Sequence, residues 1–248
     1  MVSSFRLALS FLTIIPVGRV GDPTPDMMGR LPGYYPLAGL LAGLLCWPVY
    51  GLLTILGMPS SAMAVFMVAL LMILTRGFHL DGLADAADAL LSHKPVEKKL
   101  EILKDSHLGT FGVTAIVLDV ILKTILVFSA DDSHHMLTAL ALYPVWGRLS
   151  ASAVAVCGKN ARDVPGLGYY MVENSRGSDL WLAVITAGAA SLIFGLPELL
   201  AALSALVLGR LLVGLWRKSL GGVTGDLLGA TVELGEIFSL TVFVLLIG

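Results

Sequence analysis

Charge is scarce in this chain. Asp, Glu, Lys and Arg make up 14% of its 248 residues, against about 25% in a soluble domain, so too few solvating side chains exist to cover a water-facing globule of this size. A basic excess is lacking as well. The 16 Lys+Arg against 18 Asp+Glu leave a formal net charge of -2, which offers nothing to a phosphate backbone and excludes nucleic-acid binding. Cysteine is limited to Cys46 and Cys157, both in apolar runs and without CxxC spacing. That excludes a zinc site or a disulfide framework and leaves two small buried apolar residues. Internal repeats and low-complexity tracts are missing, so residues 1–248 read as one membrane-embedded domain. The apolar start from Ser4 to Ile15 carries one positive charge, Arg6, and no small-x-small cleavage site before Pro16. It therefore reads as part of the fold and not as a signal peptide.

Long apolar runs are what the chain does have, with a mean hydropathy of +0.87. A spanning helix needs about 20 mainly apolar residues, and seven stretches qualify: 34–57, 62–80, 109–130, 136–157, 179–196, 198–216 and 227–247. The expected fold is all-α, a polytopic helical bundle of about seven transmembrane helices. Segment 3–15 is too short to span and is expected as an interfacial or half-inserted helix ended by Pro16. The connections at 58–61, 131–135 and around Pro197 hold no Lys or Arg. The opposite connections hold Arg19 and Arg30, then Lys94, Lys98, Lys99 and Lys104, then Lys159, Arg162 and Arg176, then Arg217 and Lys218. The positive-inside rule places those four in the cytoplasm and the C-terminus outside. Within 92–104, Pro95, Leu100 and Leu103 predict a short surface helix. Gly39 and Gly43 form a GxxxG that serves either close packing within the bundle or a homo-oligomer.

Three clusters of polar residues interrupt this apolar background. In Arg76-Gly77-Phe78-His79-Leu80-Asp81-Gly82-Leu83-Ala84-Asp85-Ala86-Ala87-Asp88, the three aspartates at i, i+4 and i+7 share an arc of roughly 60° on a helix. Like charges at that spacing repel, and a low local dielectric near the membrane strengthens the repulsion. A hard divalent cation, Mg²⁺ or Mn²⁺, relieves it through oxygen ligands. This reading is preferred to a solvated acidic face, because the helix continues from an apolar span. The second cluster, Lys104-Asp105-Ser106-His107-Leu108-Gly109-Thr110-Phe111-Gly112, opens the 109–130 span. A helix start of small residues offers free N–H groups to a phosphate; a plain cap by Asp105 or Ser106, with Lys104 as an orienting charge, is the competing reading. Asp119 and Lys123, four residues apart deeper in that span, are positioned to pair.

The third cluster, Gly221-Gly222-Val223-Thr224-Gly225-Asp226-Leu227-Leu228-Gly229-Ala230, leads to Glu233 and Glu236. Thr224 or Asp226 suits an N-cap. Glu233, on the face of Asp226, and Glu236 then stand inside an apolar span, where ionisable groups face partners or a polar cavity. Arg148 and Arg210 lie near the cytoplasmic ends of their spans, and Arg210 is expected to snorkel. Carboxylates for metal, with cations and glycine-rich helix starts for phosphate, all at one leaflet, are the parts of phosphoryl or phosphodiester transfer. No Walker A loop or Rossmann fingerprint is present.

These motifs resemble the cobalamin synthase family. The resemblance rests on Gly77-Phe78-His79-Leu80-Asp81-Gly82-Leu83-Ala84-Asp85 with Asp88, on Lys104-Asp105-Ser106 with Gly109-Thr110 and Gly112, and on Gly221-Gly222, Thr224-Gly225-Asp226, Leu228-Gly229-Ala230 and Glu233. Phe11-Leu12-Thr13 and Ile15-Pro16-Val17 fit as well, so the similarity runs nearly end to end. Two positions depart from the family's pattern: Ala89 stands where Gly is expected, and His107 where Arg is usual. The resemblance implies a Mg²⁺-dependent transferase (Mn²⁺ as a substitute) of the bacterial cytoplasmic membrane. Such an enzyme joins adenosylcobinamide-GDP to α-ribazole or its 5′-phosphate and releases GMP. On that reading Asp81, Asp85, Asp88 and Asp226 are the expected metal ligands, and Asp81, Asp85, Asp226 and Glu233 the expected catalytic groups. Substrate and phosphate contacts are expected at Arg76, His79, Lys104, Ser106, Gly109, Thr110, Arg148 and Thr224. An aspartate-motif membrane prenyl- or phosphatidyltransferase and a cation-coupled secondary transporter are the alternatives. The first calls for a second aspartate motif; the second calls for midplane carboxylates and cavities on both faces.

Overall fold

The structure, a computed structural model, describes residues 2–105, 107–130 and 133–248. Its elements are α1 (Val2–Leu12), α2 (Pro25–Gly29), α3 (Leu31–Leu44), α4 (Cys46–Ile55), α5 (Ser60–Leu74), α6 (Phe78–Leu91), α7 (Val96–Ile102), α8 (Thr110–Phe128), α9 (Ser133–Cys157), α10 (Leu167–Glu173), α11 (Gly177–Phe194), α12 (Leu196–Leu220) and α13 (Gly225–Ile247). Among the described residues, six helical segments are long and apolar enough to cross a membrane, and a seventh if the bent pair of α5 and α6 is counted as one. The protein is a multi-pass membrane bundle, and each expected span except 62–80 has a single long helical segment as its counterpart. α7 is the expected surface helix, with Pro95 at its N-cap and Leu103 buried.

Local chemistry sets the ends of these helices. Thr224 caps α13, its hydroxyl accepting from the Leu227 N–H. α12 stops at Gly221, whose φ of 81° is the left-handed turn that ends a helix cheaply only at glycine. Between α5 and α6, Arg76 and Gly77 both take φ of 59°, and the chain turns by 92°. The expected straight span over 62–80 is therefore broken. The 15 residues of α5 reach roughly 22 Å, less than the hydrocarbon thickness, and α6 leaves the direction of the span to run against α8 and α13.

α9 is the axle of the bundle. It is buried along nearly all its length and packs on α3, α11, α12 and α13. Hydroxyl and indole groups fasten it to these neighbours: Ser152 donates to the Pro32 carbonyl at 2.7 Å, Ser150 to the Ala205 carbonyl at 2.8 Å, and Trp146 Nε1 to Ser191 at 3.0 Å. Such bonds hold helices together where lipid supplies no hydrophobic drive, at about 0.6 kcal/mol each. Gly39 and Gly43 face the Pro144 and Ala141 carbonyls of α9, so the GxxxG is spent on packing inside the chain. Large apolar side chains of α8, α11 and α12, among them Ile125, Trp181, Ile185 and Leu211, point outward to form the lipid-facing belt. The short α1, expected at the interface, buries Ala8, Leu9 and Leu12 against the bundle.

Candidate active site

The site is built where α6 crosses α13. Gly82 makes the crossing possible: a Cβ there would overlap the Asp226 carbonyl, while Gly229 lies close to the His79 carbonyl in return. The backbones touch, and Asp81 and Asp226 are brought to the same cleft of about 230 Å³. Its walls come from five helices: Phe11 and Leu12 of α1, Tyr35 of α3, His79 of α6, Met171 of α10 and Val232 of α13 among them. Asp81 and Asp226 are the only Asp, Glu, Lys or Arg residues in the lining. Phe11, Tyr35 and α10 were not legible as site residues, since an apolar wall has no sequence signature; Gly166 and Gly168, spaced glycines in a polar loop, were the one available hint.

Asp85, half-buried one turn beyond Asp81, lies within electrostatic range of Asp81, Asp226, Asp88 and Asp105. Five carboxylates thus share one end of the bundle. Their donors are all oxygen, as a hard cation prefers. Among the described residues no group of three or more His, Cys, Asp or Glu side chains is placed to hold a metal ion. Asp88, expected as a ligand, has a different engagement. Its Oδ2 accepts from Gly109 N–H at 2.7 Å and its Oδ1 from Gly112 N–H at 3.0 Å. The helix start expected to cradle a phosphate at Gly109 already holds an anion from its own chain, worth about 1 kcal/mol as a cap. Asp88 is a strap between α6 and α8.

Glu233 and Arg148 are also placed differently from expectation. Both are buried, in a polar core that α8, α9 and α13 enclose. Lys123 pairs with Glu233, with Glu236 at 2.7 Å and with Asp119 at 3.1 Å. Glu236 also accepts from the Arg148 guanidinium at 2.7 Å. Arg148 is thereby committed to an interior carboxylate and the Pro144 carbonyl rather than held out to a substrate. His79 sits between the two regions, lining the cleft while its Nδ1 stands 3.9 Å from Glu233 Oε1.

Arg76 is exposed at the bend and is absent from the lining of the cleft. Thr224 is chiefly a cap, with its hydroxyl 3.3 Å from Asp226 Oδ2, so it fixes that carboxylate. Thr110 is exposed at the first residue of α8. Ser106 lies outside the described residues. Lys104 stands apart from Gly109, in a second cleft with Arg162. His107, on the surface, pairs with Asp105 twice over: its backbone N–H donates to Asp105 Oδ1 at 3.1 Å and its ring Nδ1 lies 2.6 Å from the same oxygen. The hydrogen bond and charge of Asp105 hold the imidazole above its ordinary pKa, and His107 holds the carboxyl below its own.

Fold and cleft together define a multi-pass α-helical membrane protein with an acid-lined cleft at the end of the bundle where its cationic loops gather. A family model described as Cobalamin-5-phosphate synthase matches residues 4–244, and the chain belongs to that family. A protein of Caldanaerobacter subterraneus subsp. tengcongensis named adenosylcobinamide-GDP ribazoletransferase is 37% identical over 243 residues, covering 97% of each chain. Relatives of the same name occur in Syntrophobacter fumaroxidans, 37% identical over 97% of this chain and 98% of the relative, and in Desulforamulus reducens, 35% identical over 100% and 98%. No solved structure matches the chain.

Proposed function

We propose that this protein joins adenosylcobinamide-GDP to α-ribazole or its 5′-phosphate, releasing GMP, at the cytoplasmic face of a bacterial cytoplasmic membrane. The observation that carries this reading is the pairing of Asp81 and Asp226 across a backbone-to-backbone helix crossing, in a chain that matches the family end to end. A ribose hydroxyl attacks the phosphorus attached to cobinamide, and the bond to GMP breaks with its electron pair leaving on the GMP oxygen. Asp226, oriented by Thr224, would take the hydroxyl proton or complete the metal site. Asp81, Asp85 and Asp226 would hold Mg²⁺, with Mn²⁺ as a substitute. The ion would neutralise charge on the pyrophosphate. Asp88 fixes the helix that carries these ligands, and His79 closes the cleft toward the buried ion pairs. Positive-inside orientation supports the cytoplasmic face.

The test is GMP release in liposomes from adenosylcobinamide-GDP plus α-ribazole, with and without Mg²⁺. Release is expected to require both the acceptor and the metal, and Asp85→Asn to lower kcat by about a hundredfold or more. Full Mg²⁺-dependent turnover by Asp85→Asn would overturn the ligand assignment. Wild-type protein that releases no GMP with either acceptor would overturn the functional reading itself.

A further inference from the structure

A second cleft, of about 220 Å³, lies beside the first and shares Gly168 and Gly225 with it. These two glycines meet so closely that a Cβ on Gly168 would stand 2.6 Å from the Gly225 Cα. The contact is a thin shared wall, without side chains, between two spaces of similar size. Their chemistry is opposite. The first is lined by Asp81 and Asp226 and by no Lys or Arg, and the second by Lys104 and Arg162 and by no Asp or Glu.

We infer that the cleft of Lys104 and Arg162 is the subsite for a phosphomonoester on the acceptor, the 5′-phosphate of a ribose whose hydroxyl reacts in the neighbouring acidic cleft. This rests on the proposed function. A phosphomonoester carries about -1.5 to -2 charges at neutral pH and is repelled by the carboxylates of the first cleft. Two cations and the neighbouring backbone at Gly166 and Gly168 answer that charge. The reacting pyrophosphate belongs with the carboxylates that would hold metal, whereas the 5′-phosphate is carried through unchanged and needs only binding. A nucleotide's ribose separates the two groups by a few ångströms, the scale of a wall one glycine pair thick.

The cleft is rigid where it needs to be. Val223 N–H donates to the Lys159 carbonyl at 2.8 Å and Ala161 N–H to the Val223 carbonyl at 2.9 Å, a short bridge that docks the segment before Arg162 onto the turn before Asp226. Arg162 spends one N–H group on the Leu100 carbonyl at 3.2 Å. A guanidinium has five N–H donors, so this bond aims the side chain and leaves others for an anion. The acids nearest Arg162 in sequence bond to residues of the cleft wall without lining the cleft themselves: Asp163 accepts from the Tyr169 hydroxyl at 2.9 Å and Glu173 from Asn160 at 3.2 Å.

The two acceptors separate this subsite from the rest of the reaction. In liposomes at saturating adenosylcobinamide-GDP, Arg162→Gln is expected to raise KM for α-ribazole 5′-phosphate by about tenfold to a hundredfold, the loss of a charge-assisted hydrogen bond. With unphosphorylated α-ribazole, its kcat/KM should fall by less than about threefold, which also reports that the variant folds. Arg162→Lys should recover part of the loss, and Lys104→Gln should show the same selectivity. An equal loss with both acceptors, or a rise in KM for adenosylcobinamide-GDP alone, would overturn the inference. Wild-type inactivity with both acceptors would instead remove the function on which it rests.

Discussion

Lys123 keeps its ammonium inside the bundle, 4% exposed, among Asp119, Glu233 and Glu236. Three acids there meet two basic side chains, Lys123 and Arg148, so neither base is spare. Removing one partner from such a buried set costs about 3–5 kcal/mol, because the charges left behind remain out of water. Lys123→Met is therefore expected to lower the thermal unfolding temperature in detergent sharply, and Lys123→Met combined with Glu233→Gln to recover part of the loss. Additive losses in the double variant would show that the pair is not coupled. At this scale the sequence was informative about identity and less so about partnership. Asp119 and Lys123 were legible as a pair because they are four residues apart on one helix. Glu233 was read beside Asp226, seven residues away on the same face, yet its partner is 110 residues distant. The same applies to Asp88, whose spacing with Asp81 and Asp85 was plain while its bonds to Gly109 and Gly112 depend on how α6 meets α8.

Helices were legible wherever the apolar runs exceed the thickness of a bilayer, and the break between α5 and α6 was not. Leu71, Leu74 and Leu80 carry the apolar pattern through Thr75, Arg76 and Gly77, so periodicity predicts one span where the backbone turns. That turn lays α6 across α13 and presents Asp81 to Asp226. The crossing itself hangs on Gly82, where any Cβ meets the Asp226 carbonyl, more than on Gly229, whose added Cβ would stand 3.3 Å from the His79 carbonyl. Gly82→Ala must push the helices apart, at about 1–3 kcal/mol of strain. A displacement near 1 Å at reacting groups costs about a hundredfold in rate. The expected outcome is a loss of about that size in GMP release by Gly82→Ala, with Gly229→Ala retaining most activity. Equal activity of the two variants would mean that the backbone contact does not set the site.

The Lys and Arg residues of the connections gather at one end of the molecule. Asp81, Asp85, Asp226, Lys104 and Arg162 gather where α6, α10 and the start of α13 meet, and the loops rich in Lys and Arg lie at the same end. Most cations lie in the connections at that end, and the few acids near them line the cleft. Orientation and site are therefore one claim, because the rule that puts the cations in the cytoplasm puts the cleft there too. Lys94, on the connection after α6, and Ser61, in the first turn of α5, are exposed residues at opposite ends of the bundle. In a variant lacking Cys46 and Cys157, a cysteine placed by Lys94→Cys is expected to react with a membrane-impermeant maleimide in inside-out vesicles and to be protected in intact cells. Ser61→Cys should behave in the opposite way. The reverse labelling pattern would turn the cleft outward, away from a cytoplasmic supply of nucleotide-activated donor. Labelling of both positions from one side would break the alternation of spans on which the fold rests.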